Sequence, residues 1–580
     1  MRNMANYLVS LLLGLLIILS VAGLPVEIFG YTKVFAVFSV AGISLIIVLL
    51  STIAMKKKIK ITQLNIFYFL FLSFYLIDFS SLNNLWNIGF LCLLSLFVAI
   101  CLLQHIHYTI IFKCSLCATV LLTSWGYMQY FQYIPSNSEH FLLTGPFHNP
   151  AVLAIMLSLL LGIVLNSIIL FYNLLIKNKS FLILVVIIVI FCMPLFILTN
   201  ARAAYLALFI SILYSLYLRF GVGRKKAIYL IGLLPLILIS IGILYKLKPQ
   251  SADGRLLVWK ISCKMIQDKP LTGFGKGGFA ANYLYYQADY MRSFASPAER
   301  DLAGSTHLAF NEPLRITVEY GVIGLIIYSL FVVWLLFLSP NKKSICILFK
   351  SLLIGIVTWG MFGYPDQVFS VQTLWVVAIA CYLNKIYGSI YKHSTSNHIF
   401  PKIVIVVMCC ASGVLSVKLW NKWTVYHELY ICLKTHTIQQ SSHYSNMLTL
   451  LRREITNDIS VSYLYCQLSR IEHQKADFFY MSSFLEEHFP TPGLLIMKGD
   501  YLKEIGKWKE AEEAYKLASD MMPSLQIPRG KLAFLYNEIG RKEEAITIAR
   551  NILTEDVKVY GFDTFNLHRD LNRIFEDELK

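Results

Sequence analysis

Charge is the scarcest commodity in this chain, and negative charge above all. Only 15% of its 580 residues are charged, and Asp plus Glu number 34 against 51 Lys plus Arg. With 57% hydrophobic residues and a mean hydropathy of +0.61, that scarcity excludes a disordered chain or an ordinary soluble enzyme. There is no CxxC pair and no His/Cys spacing suited to a metal. The 12 cysteines are scattered, most of them inside apolar runs, and read as small buried hydrophobes. No Walker motif, DxD motif or metal-ligand cluster occurs. Gly273-Phe-Gly275-Lys-Gly277-Gly278 satisfies GxGxxG, but no strand precedes it and no βαβ unit surrounds it. A nucleotide site is therefore rejected, and the glycines are read as a tight turn near a phosphate group.

What is abundant is the apolar run of about 18 residues or more, the mark of a polytopic membrane protein. Thirteen spans are expected, at about 6–25, 34–54, 64–80, 86–104, 108–127, 151–174, 181–199, 203–219, 227–245, 316–338, 345–363, 367–384 and 402–420. The first run lacks a small-residue cleavage site and is read as a span. With a cytoplasmic N-terminus, the clusters Lys56-Lys57-Lys58 with Lys60, Arg224-Lys225-Lys226 and Lys342-Lys343 all fall inside, as do Lys177, Lys179, Lys385 and Lys392. The excess of +17 is accounted for by orientation more than by nucleic acid, which is not expected as a partner.

The same topology sends a polar segment, from about Lys246 to Asn311, to the outer face together with the C-terminus. This loop carries Gly254-Arg255-x3-Trp259, Asp268-Lys-Pro270-Leu-Thr-Gly273-Phe-Gly275, Tyr283 to Gln287, and His307-Leu-Ala-Phe-Asn311-Glu312. A chain that lives mostly in lipid has little packing use for such a loop, and loops on rigid scaffolds carry function. Its excess of Lys and Arg suits an anionic ligand.

After about Asn421 the composition is that of a soluble helical domain. Gly499, Gly506, Ala511, Tyr515, Ala518 and Pro523 fit the 34-residue tetratricopeptide pattern, and Gly506 and Ala511 recur as Gly540 and Ala545. An earlier, degenerate repeat is read at about 460–490. The domains expected are thus 1–420 in the membrane, 246–311 as an outer loop within it, and 421–580 as an α-solenoid that docks a protein partner.

In order along the chain, Gly145-Pro146-Phe147-His148-Asn149-Pro150, Asn200-Ala201-Arg202-Ala203, the two loop motifs and Asn311-x9-Gly321-x2-Gly324 resemble the O-antigen ligase / O-antigen polymerase superfamily. The resemblance covers roughly residues 120 to 385. It implies an all-α, GT-C-like membrane enzyme that takes a glycan from a polyprenyl-diphosphate carrier. The acceptor is lipid A core in the ligases, another repeat unit in the polymerases, or a protein hydroxyl in related oligosaccharyltransferases. It implies no cofactor and no metal, with arginines where other enzymes place a divalent cation. One departure stands out: the family pattern sets a histidine before Asn311, and here that position is Phe310, with His307 nearest. Were the segment helical, His307 and Asn311 would share a face about 6 Å apart.

Chemistry assigns the roles. A leaving diphosphate suits guanidinium groups, which carry fixed charge and bidentate donors; Arg202, at the start of a span, and Arg255 are the candidates. The acceptor hydroxyl needs a base, and His307 has the right pKa range, with Glu312, Glu319 and Asp366 as carboxylate competitors. Asn311 joins the catalytic set. Trp259, His148, Tyr283, Gln287 and Glu319 are candidate substrate contacts, and Glu319 alternatively orients the histidine. Tyr283, Tyr285, Tyr286 and Tyr290 either stack on sugar rings or belong to an interfacial aromatic belt. Outside this class stand a transporter, against which no inverted hydropathy repeat is found, and a membrane-anchored scaffold whose tail does the work.

Overall fold

The computed structural model describes residues 2–21, 37, 39–48, 63–76, 85–102, 106–220 except 139, 249–337, 344–390, isolated positions between 407 and 452, and 459–576 except 558 and 559. The span expected at 227–245 and the three strongest basic clusters lie outside these residues, and the span at 402–420 is described only at isolated positions. Among the described residues there is no β-strand. The chain divides into two compact units, Met1–Leu244 with Phe331–Gln439, and Tyr245–Leu330 with Gln440–Lys580.

In chain order the first unit contributes α1 (Arg2–Val21), α2 (Gln63–Leu76), α3 (Leu85–Leu102), α4 (Tyr108–Tyr130), α5 (Pro150–Leu175), α6 (Lys179–Leu198) and α7 (Arg202–Phe220). The second contributes α8 (Pro249–Asp268), α9 (Gly278–Ser293), α10 (Pro297–Leu302) and most of α11 (Glu312–Phe337). The chain returns to the first unit with α12 (Ser344–Gly360) and α13 (Phe369–Ile390), and the second is completed by α14 (Ile459–Ile471), α15 (Lys475–His488), α16 (Pro492–Glu504), α17 (Trp508–Met521), α18 (Gln526–Glu538), α19 (Lys542–Thr554) and α20 (Phe562–Ile574).

Six described helices are long and apolar enough to cross a membrane, among them α4 to α7. α5 is the central one: its residues from Val152 to Val164 are nearly all buried, whereas α6 exposes Ile183, Ile187 and Ile190. Hydroxyls and amides tie the helices together where no water competes. Ser158 donates to the Ala204 carbonyl at 3.0 Å, Asn166 to Ser211 at 2.9 Å, and Asn384 to the Ile100 carbonyl at 2.9 Å. Gln129 closes the turn before α5, donating to the Gly145 carbonyl at 2.9 Å and accepting from the Gly145 and Thr144 amides. Gly145 there has φ +62°, and Asn149 caps α5 with Pro150 at its first position.

In the second unit the tail is a succession of packed helix pairs, α14 with α15, α16 with α17 and α18 with α19. Glycine permits the close crossings: a Cβ at Gly499 would lie 2.5 Å from the Tyr515 ring, and one at Gly530 2.3 Å from Leu567. The region 460–490, read as a degenerate repeat, is the pair α14–α15. The loop does not stand apart from this tail. Leu257, Ile261, Phe279, Tyr283 and Met291 share one hydrophobic core with Leu495, Ala518 and Met521.

Candidate active site

The centre of the second unit is a backbone junction that the sequence motifs build in two halves. α11 is broken at Gly321, whose φ of +65° and ψ of −168° are open to glycine alone. A broken helix orphans backbone groups, and the Pro270–Gly275 turn satisfies them. Phe274 and Gly275 donate to the Val318 and Glu319 carbonyls at 2.9 and 2.8 Å, and Val322 donates to the Pro270 carbonyl at 2.8 Å. The approach is so close that a Cβ at Gly321 would sit 2.0 Å from the Leu271 carbonyl oxygen, and one at Gly273 2.4 Å from the Glu319 backbone. The glycines of the GxGxxG stretch thus serve contact with a helix. Gly277 spends its amide on the Glu319 carboxylate at 3.1 Å.

That carboxylate belongs to a group of charges the sequence reading did not assemble. Arg315, 7% exposed, lies between Glu312 and Glu319 on α11, bonding the first at 2.6 Å and the second as well. The Glu312-x2-Arg315-x3-Glu319 spacing puts all three on one helix face, and charges next to an apolar run were the signal available. Glu312 and Glu319, named as competitors for the base, are both held by this guanidinium.

Arg255 lies on α8 with its guanidinium carbon 5.2 Å from the centre of the Phe310 ring. The residue in the family's histidine position is therefore the platform under the arginine. Phe310 has φ +52°, and the indole of Trp259, one turn on from Arg255, donates to the neighbouring Ala309 carbonyl at 3.0 Å. Trp259 acts here through backbone. Residues 303–311 form no helix, so the shared helical face expected for His307 and Asn311 does not exist. Asn311 instead caps α11, accepting from the Leu314 amide at 2.9 Å. His307 stacks on Phe489 with ring centres 3.6 Å apart, and its Nε2 is 2.8 Å from the Pro490 carbonyl. Burial holds its imidazole below the ordinary histidine range.

The tyrosines of α9 are bonded within the second unit. Tyr283 is fully buried, stacked on Phe279, and donates to Gln287 at 2.8 Å; Gln287, 1% exposed, donates to the Gly304 carbonyl at 3.1 Å and the Met521 carbonyl at 2.6 Å. Tyr285 donates to the Glu486 carbonyl, Tyr286 to Asp268, and Tyr290 to Glu299. Tyr283 and Gln287, expected as substrate contacts, are thus buried and bonded within the core of this unit. Lys260, 2.7 Å from Glu299, lowers that carboxyl to about 2.

In the first unit, Arg202 opens α7 directly after the turn at Asn200, which has φ +55°, and it is half-buried. His148 is exposed on the turn that leads into α5. Among the described residues no cluster of His, Cys, Asp and Glu is arranged to hold a metal ion.

The described residues thus form a helical membrane chain with an arginine-bearing polar segment. Residues 187–329 match the family model described as O-antigen ligase, a stretch that includes Arg202, Arg255, the glycine turn, His307, Asn311 and the break in α11. The match supports the O-antigen ligase superfamily and, with it, a membrane glycosyltransferase of the ligase or polymerase kind using a lipid-linked glycan. His148 and the helical tail lie outside the matched residues. No curated protein matches the chain.

Proposed function

We propose that the protein is a ligase, moving a glycan from a polyprenyl-diphosphate carrier to a hydroxyl of lipid A core at the outer face of the bacterial inner membrane. The observation that carries this reading is Arg255, fixed over Phe310 within a loop whose fold is set by the matched motifs. In the reaction the acceptor oxygen bonds to the sugar C1 as the C1–O bond to the diphosphate breaks. The electron pair leaves with the diphosphate, and the acceptor proton passes to a base. Arg255 neutralises the leaving charge, with preorganised donors that need no deprotonation. Arg202 supplies a second fixed cation.

His307 is the proposed base. With its Nε2–H donated to the Pro490 carbonyl, the tautomer leaves Nδ1 as the proton acceptor, and burial keeps the ring neutral at pH 7. Asn311 holds the entry to α11, and Glu319 orients the glycine turn. No cofactor or metal is invoked.

The helix pairs are read as a tetratricopeptide-like array on the outer side, with the N-terminus cytoplasmic. Their shared core with the loop favours one second reading, a protein hydroxyl as acceptor, met on the array's surface. Gel analysis of surface polysaccharide in a knockout tests the choice. Lost long chains on lipid A core support the ligase, a single-repeat ladder a polymerase, and underglycosylated proteins the second reading. Complementation with Arg255→Ala or Arg202→Ala should fail at normal membrane levels, and normal surface glycan in either strain removes that arginine from the mechanism.

A further inference from the structure

The first unit carries a second lipid-facing feature, far from Arg202. The start of α4, the end of α5, the starts of α6 and α12 and the last turns of α7 and α13 meet at one end of the bundle. Between them runs an apolar groove of about 270 Å³, lined by Phe112, Phe171, Leu174, Phe181, Leu348 and Leu352. It continues into a hollow that shares Phe171, Leu174 and Ile345 and adds Asn173, Arg219, Ser344 and Lys385. Phe171, where the two meet, departs from helical geometry at φ −118° and ψ 20°, so α5 bends there.

The charge at this end has one sign. Arg219 and Lys385 line the hollow, Lys113 lines the groove, and Lys177 and Lys179 flank the link from α5 to α6. Lys385 is held over the Tyr108 ring at 5.3 Å, at the groove's edge. Among the described residues of 106–220 and 344–390 the sole carboxylate is Asp366, within the short 3-10 turn Pro365–Gln367 at the opposite end of α13. Arg219 is also a helix length from Arg202, about 26 Å at 1.5 Å per residue along α7. This is nearly the thickness of a bilayer's hydrocarbon core, so the hollow serves the leaflet opposite to Arg202.

We propose that this groove and hollow bind one anionic phospholipid, an acyl chain along Phe171 and Leu352 and the phosphate between Arg219 and Lys385. Chain and headgroup are recognised together: the groove alone suits any apolar tail, and the cations alone any anion. The site is independent of the transfer reaction and does not rest on the function proposed above.

The test uses the full-length protein in phosphatidylcholine vesicles doped with phosphatidylglycerol carrying a diazirine on its acyl chain. Photolysis should label peptides around Phe171–Leu175 and Ile345–Leu352, with unlabelled phosphatidylglycerol competing and phosphatidylcholine not. A basic side chain near a membrane surface attracts an anionic lipid about fivefold. The double variant Arg219→Gln/Lys385→Gln should therefore cut labelling at least tenfold. Equal labelling by a diazirine phosphatidylcholine on the unaltered protein, which needs no variant to fold, overturns the proposal. So does undiminished labelling of the double variant, or displacement by inorganic phosphate as effective as by lipid.

Discussion

Replacing Gln287 with Leu keeps nearly the same volume but removes three hydrogen bonds from a side chain that is 1% exposed. The Gly304 and Met521 carbonyls and the Tyr283 hydroxyl each lose their bond to this amide. A buried polar group stripped of its partner costs about 1–3 kcal/mol, so three of them set the expected loss at about 3–6 kcal/mol after partial relaxation. That is comparable with the whole stability of an ordinary domain, about 5–15 kcal/mol. Arg292→Ala is the contrast. Its guanidinium also reaches the tail, 2.7 Å from Asp520, but it is 56% exposed, and such pairs contribute about 0–1 kcal/mol. The assay is urea unfolding of the full-length protein in detergent, with hydrogen exchange read at residues 303–311 and along α17. In Gln287→Leu both regions should lose protection together at a lower urea midpoint, while Arg292→Ala stays near the unaltered protein. Full protection of 303–311 in Gln287→Leu, or equal loosening by Arg292→Ala, would refute the view that a buried amide joins loop and tail. The same joint predicts that deleting the tail unfolds the loop and abolishes transfer.

Further outcomes follow from the same geometry. Gly321→Ala should prevent the docking of the glycine turn, since its Cβ would meet the Leu271 carbonyl at 2.0 Å, whereas Gly254→Ala, in open space on α8, should be neutral or stabilising by up to about 1 kcal/mol; thermal stability in detergent compares them. Arg315→Met leaves two buried carboxylates without their cation, at a cost of about 3–5 kcal/mol, and Glu312→Gln/Arg315→Met/Glu319→Gln together should recover most of it; a triple variant as unstable as the single one rejects the ion-pair account. Because burial lowers the His307 pKa in the folded state, the unfolded chain takes up a proton first as pH falls. The contact's stability is thus complete above about pH 6.5 and declines below it. Protection of 303–311 should drop between about pH 7.5 and 5.5 in the unaltered protein but not in His307→Phe, which keeps a ring against Phe489; an identical drop in both excludes the histidine.

Long apolar runs announce membrane helices, because lipid accepts little else than helices whose backbone groups are paired within themselves. Those runs and the ordered motifs from Asn200 to Gly324 were therefore legible in the sequence, and the O-antigen ligase match begins and ends within the runs at 181–199 and 316–338. Arg202 stood out because a charge next to a span is expensive, and Arg255 through the Arg-x3-Trp motif. Tertiary structure alone decided which side chains were partners. The tyrosines of α9 look identical in sequence whether they face a sugar or a core, and only the packing of the tail against that helix buries Tyr283 and Gln287. Phe310 looked like a lost histidine until Arg255 was seen over its ring, and Gly273 and Gly321, 48 positions apart, revealed their shared purpose only when two backbones met. Periodicity and composition act over a few residues and are written locally; which distant groups come into contact depends on how the whole unit closes.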